Sequence, residues 1–255
     1  MKKNIRFALL GLILCITSFQ VSAQRERQAR NLRDNVDAPA YASMLSGGIT
    51  TNTNSGILGG LVVRHSQLLP NSFMGKRQYR YLALELVNVK HAKEQSIQMG
   101  YGARFTRNKI NYLFALRPEY GREIVLFNRN DDEGIAVSTI FAIGPTIGLE
   151  KPAMVRVQET RNRVVSVPYD PGMHNTGNIV GSNFFGGLDK TKFVPGLHVK
   201  AALAFELSAF RNSVTGVEVG FLAEAFSRKP EIMINAENRS FYTSGFISLY
   251  FGRTK

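Results

Sequence analysis

Residues 200–226 read KAALAFELSAFRNSVTGVEVGFLAEAF, an apolar stretch in which Lys200, Glu206, Glu218 and Glu224 recur and a polar RNSVTG interrupts the middle. From Leu197 the odd positions are Leu197, Val199, Ala201, Leu203, Phe205, Leu207 and Ala209, while the even ones mix His198, Lys200 and Glu206 with alanine and serine. After the polar break, Val217, Val219, Phe221, Ala223 and Ala225 share one face, and Glu218, Gly220, Leu222 and Glu224 share the other. Strict alternation of this kind is the period of a strand, and two such runs around a short polar segment predict a hairpin of two long strands.

The same period recurs along the chain. RYLALELVNVK, NYLFALRPEY, GIAVSTIFAIGPTIGLE, GILGGLVVRHS and SFYTSGFISLYF all alternate, and YASMLSGGITTN, the least regular, completes a set of eight candidate strands. In each, one face is apolar and the other carries glycine, alanine and serine with isolated charges of both signs. A water-facing surface would be dense in lysine, glutamate and asparagine. Small residues with sparse opposite charges instead suit a narrow interior in which a buried charge survives by pairing. The second faces contribute Arg64, Arg117 and Lys200 against Glu85, Glu150, Glu206, Glu218 and Glu224, which are expected to form one interior charge network. The sequence therefore predicts an all-β, eight-stranded antiparallel up-and-down transmembrane barrel over residues 42–252, its lumen filled by side chains. A soluble sandwich with those glutamates on its wet face is the competing architecture.

The N-terminus agrees with export. Lys2, Lys3 and Arg6 precede a short apolar run that closes on Val21-Ser22-Ala23, the pattern of a secretory signal peptide over residues 1–23. Cys15 lies inside that segment behind Leu12-Ile13-Leu14 rather than behind a small residue, so acylation is not expected, and the mature chain has no cysteine for disulfides or thiol chemistry. The formal charge is +13, and less the three basic residues of the signal peptide it is +10. In an exported protein such a balance points to lipid phosphates, lipopolysaccharide or an acidic envelope partner, not to nucleic acid. Residues 24–41, with Arg25, Arg27, Arg30 and Arg33, read as a basic periplasmic arm.

Two further features belong to a membrane barrel. Ile247, Leu249 and Phe251 alternate toward the C-terminus, in the manner of an aromatic-terminated last strand, although Gly252-Arg253-Thr254-Lys255 follow. Tyr79, Tyr112, Tyr120, Phe226, Phe241 and Tyr250 stand near strand ends, where interfacial girdles form. With both termini in the periplasm, residues 151–196 become a long extracellular loop, and RNSVTG, 67–77 and 121–133 become periplasmic connections, the last with room for a short helix. Within the long loop MVRVQETRNRVVSV alternates as a surface hairpin. Phe184 and Phe185, followed by two glycines, read as an apolar tip, flanked by Arg161 and Arg163, for contact with a partner.

The stretches LRPEYG at Leu116 to Gly121 and GPTIGLEKP at Gly144 to Pro152 resemble those of a group of uncharacterised outer-membrane barrel proteins of the Bacteroidota. The resemblance spans residues 56–155 and implies a fold and a place in the outer membrane of a Gram-negative cell. It brings no activity.

Signals for chemistry are sparse. His65, His91, His174 and His198 are far apart with no metal-ligand spacing, no nucleophile elbow occurs, and no cofactor is expected. Small barrels include lipid A acyl hydrolases and transferases that set a serine, a histidine and an acid at the lipid-facing rim, and here His198 with Ser208 or Ser227 is the candidate set. The reading is thus a non-enzymatic structural or interaction component of the envelope, with a lipid-modifying enzyme and a small pore as alternatives.

Overall fold

Long alternating runs form strands that bury one face each, and here the buried faces meet around a common axis. The computed structural model describes residues 41–98, 104–127, 135–160, 163–174, 178–210 and 213–255. Its elements in chain order are β1 (Ser43–Asn52), β2 (Gly56–Leu68), β3 (Gln78–Val89), β4 (Ser96–Gln98), β5 (Arg104–Thr106), β6 (Asn111–Phe127) and β7 (Ala136–Pro152). They continue with β8 (Met154–Thr160), β9 (Arg163–Pro168), β10 (Ile179–Asn183), β11 (Lys192–Phe210), β12 (Ser213–Phe226) and β13 (Phe241–Thr254). Eight of these close into an antiparallel barrel in the order β1-β13-β12-β11-β7-β6-β3-β2. Closure pairs the first strand with the last, Met44 opposite Thr254 and Asn52 opposite Phe246, so the barrel itself has no open sheet edge.

Both ends of the described chain lie at one mouth, the lower mouth hereafter. That mouth also carries the connection 69–77, the connection between β6 and β7, and the β11–β12 turn. The upper mouth carries the Thr53–Ser55 turn and the long connections 90–110, 153–191 and 227–240. Two corrections to the sequence reading concern the lower connections. β6 runs on to Phe127, so residues 121–127 are strand rather than loop or helix, because Gly121, Glu123 and Val125 continue the inward-facing period. The RNSVTG turn is shorter than expected, since β12 already begins at Ser213. Residues 211 and 212, like the signal peptide, the arm to residue 40 and Arg161, lie outside the described residues.

The alternation sorts inside from outside as expected. Outward side chains include Leu61, Val63, Leu84, Phe141, Ile143, Leu197, Val199, Leu203, Phe221, Ile247, Leu249 and Phe251, all exposed. Such a continuous apolar belt far exceeds what a water-soluble monomer displays. Inward, the lumen is packed in layers. Tyr41, Met44, Tyr79, Val214 and Tyr250 fill the lower mouth, and Tyr81, Ile140, Ala142, Ala202, Ala204, Leu222 and Phe246 the middle. Ile232 and Met233, from the 227–240 connection, cap the upper end against Val89, Leu113, Val194 and Phe226. The girdle expectation is corrected accordingly: Tyr79, Tyr250 and Phe226 turn inward and are buried, whereas Tyr120 and Phe241 face out.

Close packing in so narrow a barrel depends on glycine at one point of near contact. A Cβ on Gly144 would lie 1.8 Å from the Pro118 carbonyl oxygen. There the β6–β7 pairing pauses between Leu116/Ile147 and Tyr120/Ile143, where Pro118 comes opposite Pro145 and neither has an N–H to donate. The two stretches that carry the family resemblance are thus neighbours in space.

Candidate functional site

The lumen holds most of the buried charge. On β6 the inward charged positions are Arg117, Glu119 and, two pleat repeats further on, Glu123; on β12 they include Glu218 and Glu224; β3 supplies Glu85, β2 Arg64 and β11 His198 and Lys200. Arg117 lies directly across the β3–β6 ladder from Glu85 and bonds it at 3.0 Å. Its Nε and Nη2 reach over the lumen to both oxygens of Glu224 at 2.8 Å. The planar guanidinium fork matches a carboxylate in this bidentate mode, which a lysine could not reproduce.

A second cluster lies below. Lys200 bridges Glu119 at 3.1 Å and Glu218 at 2.9 Å, and Arg64 bonds the other oxygen of Glu218 at 2.9 Å. Arg64 also donates from Nε to Ser46 Oγ at 3.0 Å and lies over the Tyr250 ring at 3.7 Å. Together the clusters tie β2, β3, β6, β11 and β12 across the interior. Each ion is buried, so each pair offsets a large desolvation cost, and loss of one partner strands the other.

Two members of the expected network belong elsewhere. Glu150 stands at the upper mouth, where it takes Arg228 in a two-point contact and the Glu231 backbone N–H at 2.6 Å. Glu206 lies at the lower mouth and accepts the Tyr41 hydroxyl at 2.7 Å. Alternation puts all eight residues on inward faces, but height along the barrel separates these two from the rest.

The structure adds two carboxylates, Glu119 and Glu123, that the sequence reading passed over, and places His198. Glu119 joins the Lys200 cluster. Glu123 accepts hydroxyls from Ser66 at 2.6 Å and Ser138 at 2.8 Å. His198 is fully inside the lumen, its Nδ1 bonded to Thr146 Oγ1 at 2.9 Å and its Nε2 3.9 Å from Glu119 Oε1. Neither of those last two atoms has a hydrogen-bond partner among the described residues. The candidate catalytic pairing is not formed: Ser208 is ten residues along β11 from His198, about 33 Å of strand, and Ser227 is exposed at the upper rim, its N–H bonded to the Pro195 carbonyl. Among the described residues no group of three or more metal-ligating side chains gathers.

Above the upper mouth the long connections build a small head. β8 and β9 pair as the surface hairpin, and β10 adds to β8 to make a three-stranded sheet beside the β4–β5 ribbon. Phe184 and Phe185 sit in the turn after β10, but not at a free tip. Phe184 packs edge-on against Tyr112 and Phe114 of the outer β6 wall, ring centroids 5.4 and 6.2 Å apart, and its carbonyl accepts from the buried Lys151 ammonium. Phe185 is left 81% exposed beside it. Arg163 is exposed on β9, its nearest acid being Glu159 at 3.3 Å. Lys109 anchors the base of the head, bonded to Glu94 at 2.6 Å. Burial lowers its pKa even with that carboxylate alongside.

Neither a family model nor any curated protein matches the chain. Among solved structures the chain is similar to the crystal structure of Neisserial surface protein A (NspA), with a TM-score of 0.36 and 8% identity over 84% of this chain and 96% of that one. The eight-stranded architecture is established by the closed strand order, independently of that similarity.

Proposed function

We propose that this chain is an outer-membrane β-barrel of a Gram-negative cell, exported through a signal peptide over residues 1–23, that acts without catalysis as a structural or interaction component of the envelope. The observation that carries the reading is the inversion of the molecule: apolar side chains form the outside, and hydrogen-bonded ion pairs form the inside. In water that arrangement would expose the belt and bury charge at a cost with no return; in a bilayer it satisfies both solvents. The short turns at the lower mouth and long connections at the upper one fit periplasmic and extracellular sides respectively.

Two features favour a non-catalytic, non-conducting role. His198 is held by Thr146 inside a packed lumen, and Ile232 and Tyr41 cap the two mouths. The part of the molecule shaped for contact is the head, with Phe185 as its most exposed large apolar side chain among the described residues, Phe184 as its seat on the barrel and Arg163 as basic rim, a role that Arg161, two residues earlier in the sequence, is proposed to share. An envelope protein of acidic surface is the partner this fits, with lipopolysaccharide phosphates as its neighbours.

Replacing residues 160–190 by a short Gly-Ser linker tests the proposal. The variant is expected to remain in the outer membrane with heat-modifiable gel mobility and to lose the proteins that co-purify with the intact chain in mild detergent. Retention of all of them would remove the head as the interaction surface, and fatty-acid release from lipopolysaccharide that depends on His198 would overturn the non-catalytic role.

A further inference from the structure

The outer wall is interrupted where β11, β12 and β13 run side by side. On β11, β12 and β13 the outward positions Ala201, Ala223 and Gly245 are small, while Phe221 stands between Ala201 and Gly245 in register and is 77% exposed. Next to them the β1–β2 hairpin is short. β1 stops at Asn52, level with Phe246, and the Thr53 N–H bonds the Gly245 carbonyl, yet β13 continues upward to Phe241 without β1 beside it. Small side chains and the missing strand together leave an open groove of about 720 Å³, walled by Phe141, Val199 and Phe221 and edged by Thr53 and Thr243. It lies in the upper part of the apolar belt.

Exposed bases lie in the connections at the upper rim. Lys229 and Arg239 are exposed in the connection between β12 and β13, and Lys90, whose N–H bonds the Asn54 carbonyl, is exposed on the hairpin side. The exposed acids of the same connection are Glu231 and Glu237, and Arg228 is already held by Glu150. Arg239 is four residues from Thr243, about 13 Å along an extended chain. That is a suitable separation for a headgroup above and an acyl chain below.

We propose that this groove is a specific site for a phosphorylated outer-leaflet lipid, one acyl chain lying over Ala201, Ala223 and Gly245 and its phosphate meeting Lys229 and Arg239. The site rests on the membrane reading given above. A bilayer supplies no hydrophobic drive for filling such a groove, because lipid tails are as apolar as its walls. Selection must therefore come from shape and from the charged rim, and both are separately mutable. A Cβ on Gly245 would meet nothing nearer than 3.7 Å and no backbone atom among its nearest neighbours, so a side chain can start there without disturbing the backbone.

The test is native mass spectrometry of the full barrel in mild detergent, titrated with bisphosphorylated lipid A or with phosphatidylcholine. It compares the unaltered chain, the filled variant Ala223→Leu/Gly245→Leu, and the rim variant Lys229→Ala/Arg239→Ala. The unaltered chain is expected to retain one lipid A, each variant to need at least ten times more lipid for the same occupancy, and phosphatidylcholine to bind all three equally and weakly. Heat-modifiable mobility and insertion into liposomes report folding of each variant; Ala201→Leu replaces the filled variant if that one does not fold. Undiminished lipid A binding by the folded filled variant overturns the site, as does equal retention of the two lipids by the unaltered chain. A dimer of the unaltered chain that the filled variant abolishes also overturns it, by making a second copy the occupant. Failure of the unaltered chain to insert into liposomes sinks the membrane reading instead.

Discussion

Replacement of Arg117 by methionine removes one guanidinium and leaves two buried carboxylates, Glu85 and Glu224, whose side chains are 4% and 0% exposed. Breaking a buried pair by deleting one partner costs about 3–5 kcal/mol, because the survivor stays desolvated without compensation. Here Arg117 makes three charge-assisted bonds at 2.8–3.0 Å, two of them to Glu224, so the expected cost lies toward the upper end, about 4–5 kcal/mol. Arg117→Lys keeps the charge but loses the fork, and loss of one or more charge-assisted bonds should cost about 1.5–3 kcal/mol. Arg117→Met combined with Glu85→Gln and Glu224→Gln removes the stranded charges and should recover most of the loss. The chain has no tryptophan, so unfolding in urea is best followed by far-ultraviolet circular dichroism, with the mobility of unboiled samples as a second probe. An Arg117→Met variant that loses less than about 1 kcal/mol, or a triple variant no more stable than the single one, would refute the reasoning that the lumen is held by paired charge.

Leu203→Arg places a cation at mid-height on the outward face of β11 and should destabilise the barrel in liposomes by about 2–4 kcal/mol; a change within about 0.5 kcal/mol, usual for a water-exposed site, would contradict a lipid-facing wall. Gly144→Ala drives a methyl into the Pro118 carbonyl at 1.8 Å and should cost about 1–3 kcal/mol or prevent folding, read from the heat-modifiable fraction. The folded-state pKa of Lys109 is lowered by burial, so the folded head releases that proton more readily than the unfolded chain does. Stability contributed there should rise with pH through the window between the lowered value and the ordinary 10.5. Lys109→Met should flatten that slope in urea midpoints measured across the window, and an unchanged slope would remove Lys109 as its source.

Alternation made the two faces of each barrel strand legible, because lipid and lumen demand opposite side chains at successive residues. Height and partner were not legible. Glu150 and Glu206 have the same inward parity as Glu218 but meet Arg228 and Tyr41 at the two mouths, since parity carries no information about the stagger of one strand against the next. Glu123 lies beyond the run read for β6, which ends at Tyr120, and Glu119 lies inside that run uncounted, although both continue the odd numbering of Arg117. Tyr79, Phe226 and Tyr250 were misassigned to the girdle because nearness to a strand end was weighed above parity. The docking of Phe184 on Tyr112 and of Ile232 in the upper mouth arises from long-range contacts that no local pattern announces.

The inside-out arrangement is tested most directly by nitroxide scanning in liposomes, which the absence of cysteine after Cys15 makes straightforward. Single cysteines at the outward Leu203, Val219, Ile247 and Leu249 and at the inward Ser244 and Ser248 would carry the label. The outward set should collide freely with oxygen and hardly at all with a water-soluble nickel complex, while the inward pair should be shielded from both. Outward labels that nickel reaches as readily as oxygen would place water, not lipid, against the wall and contradict the membrane barrel.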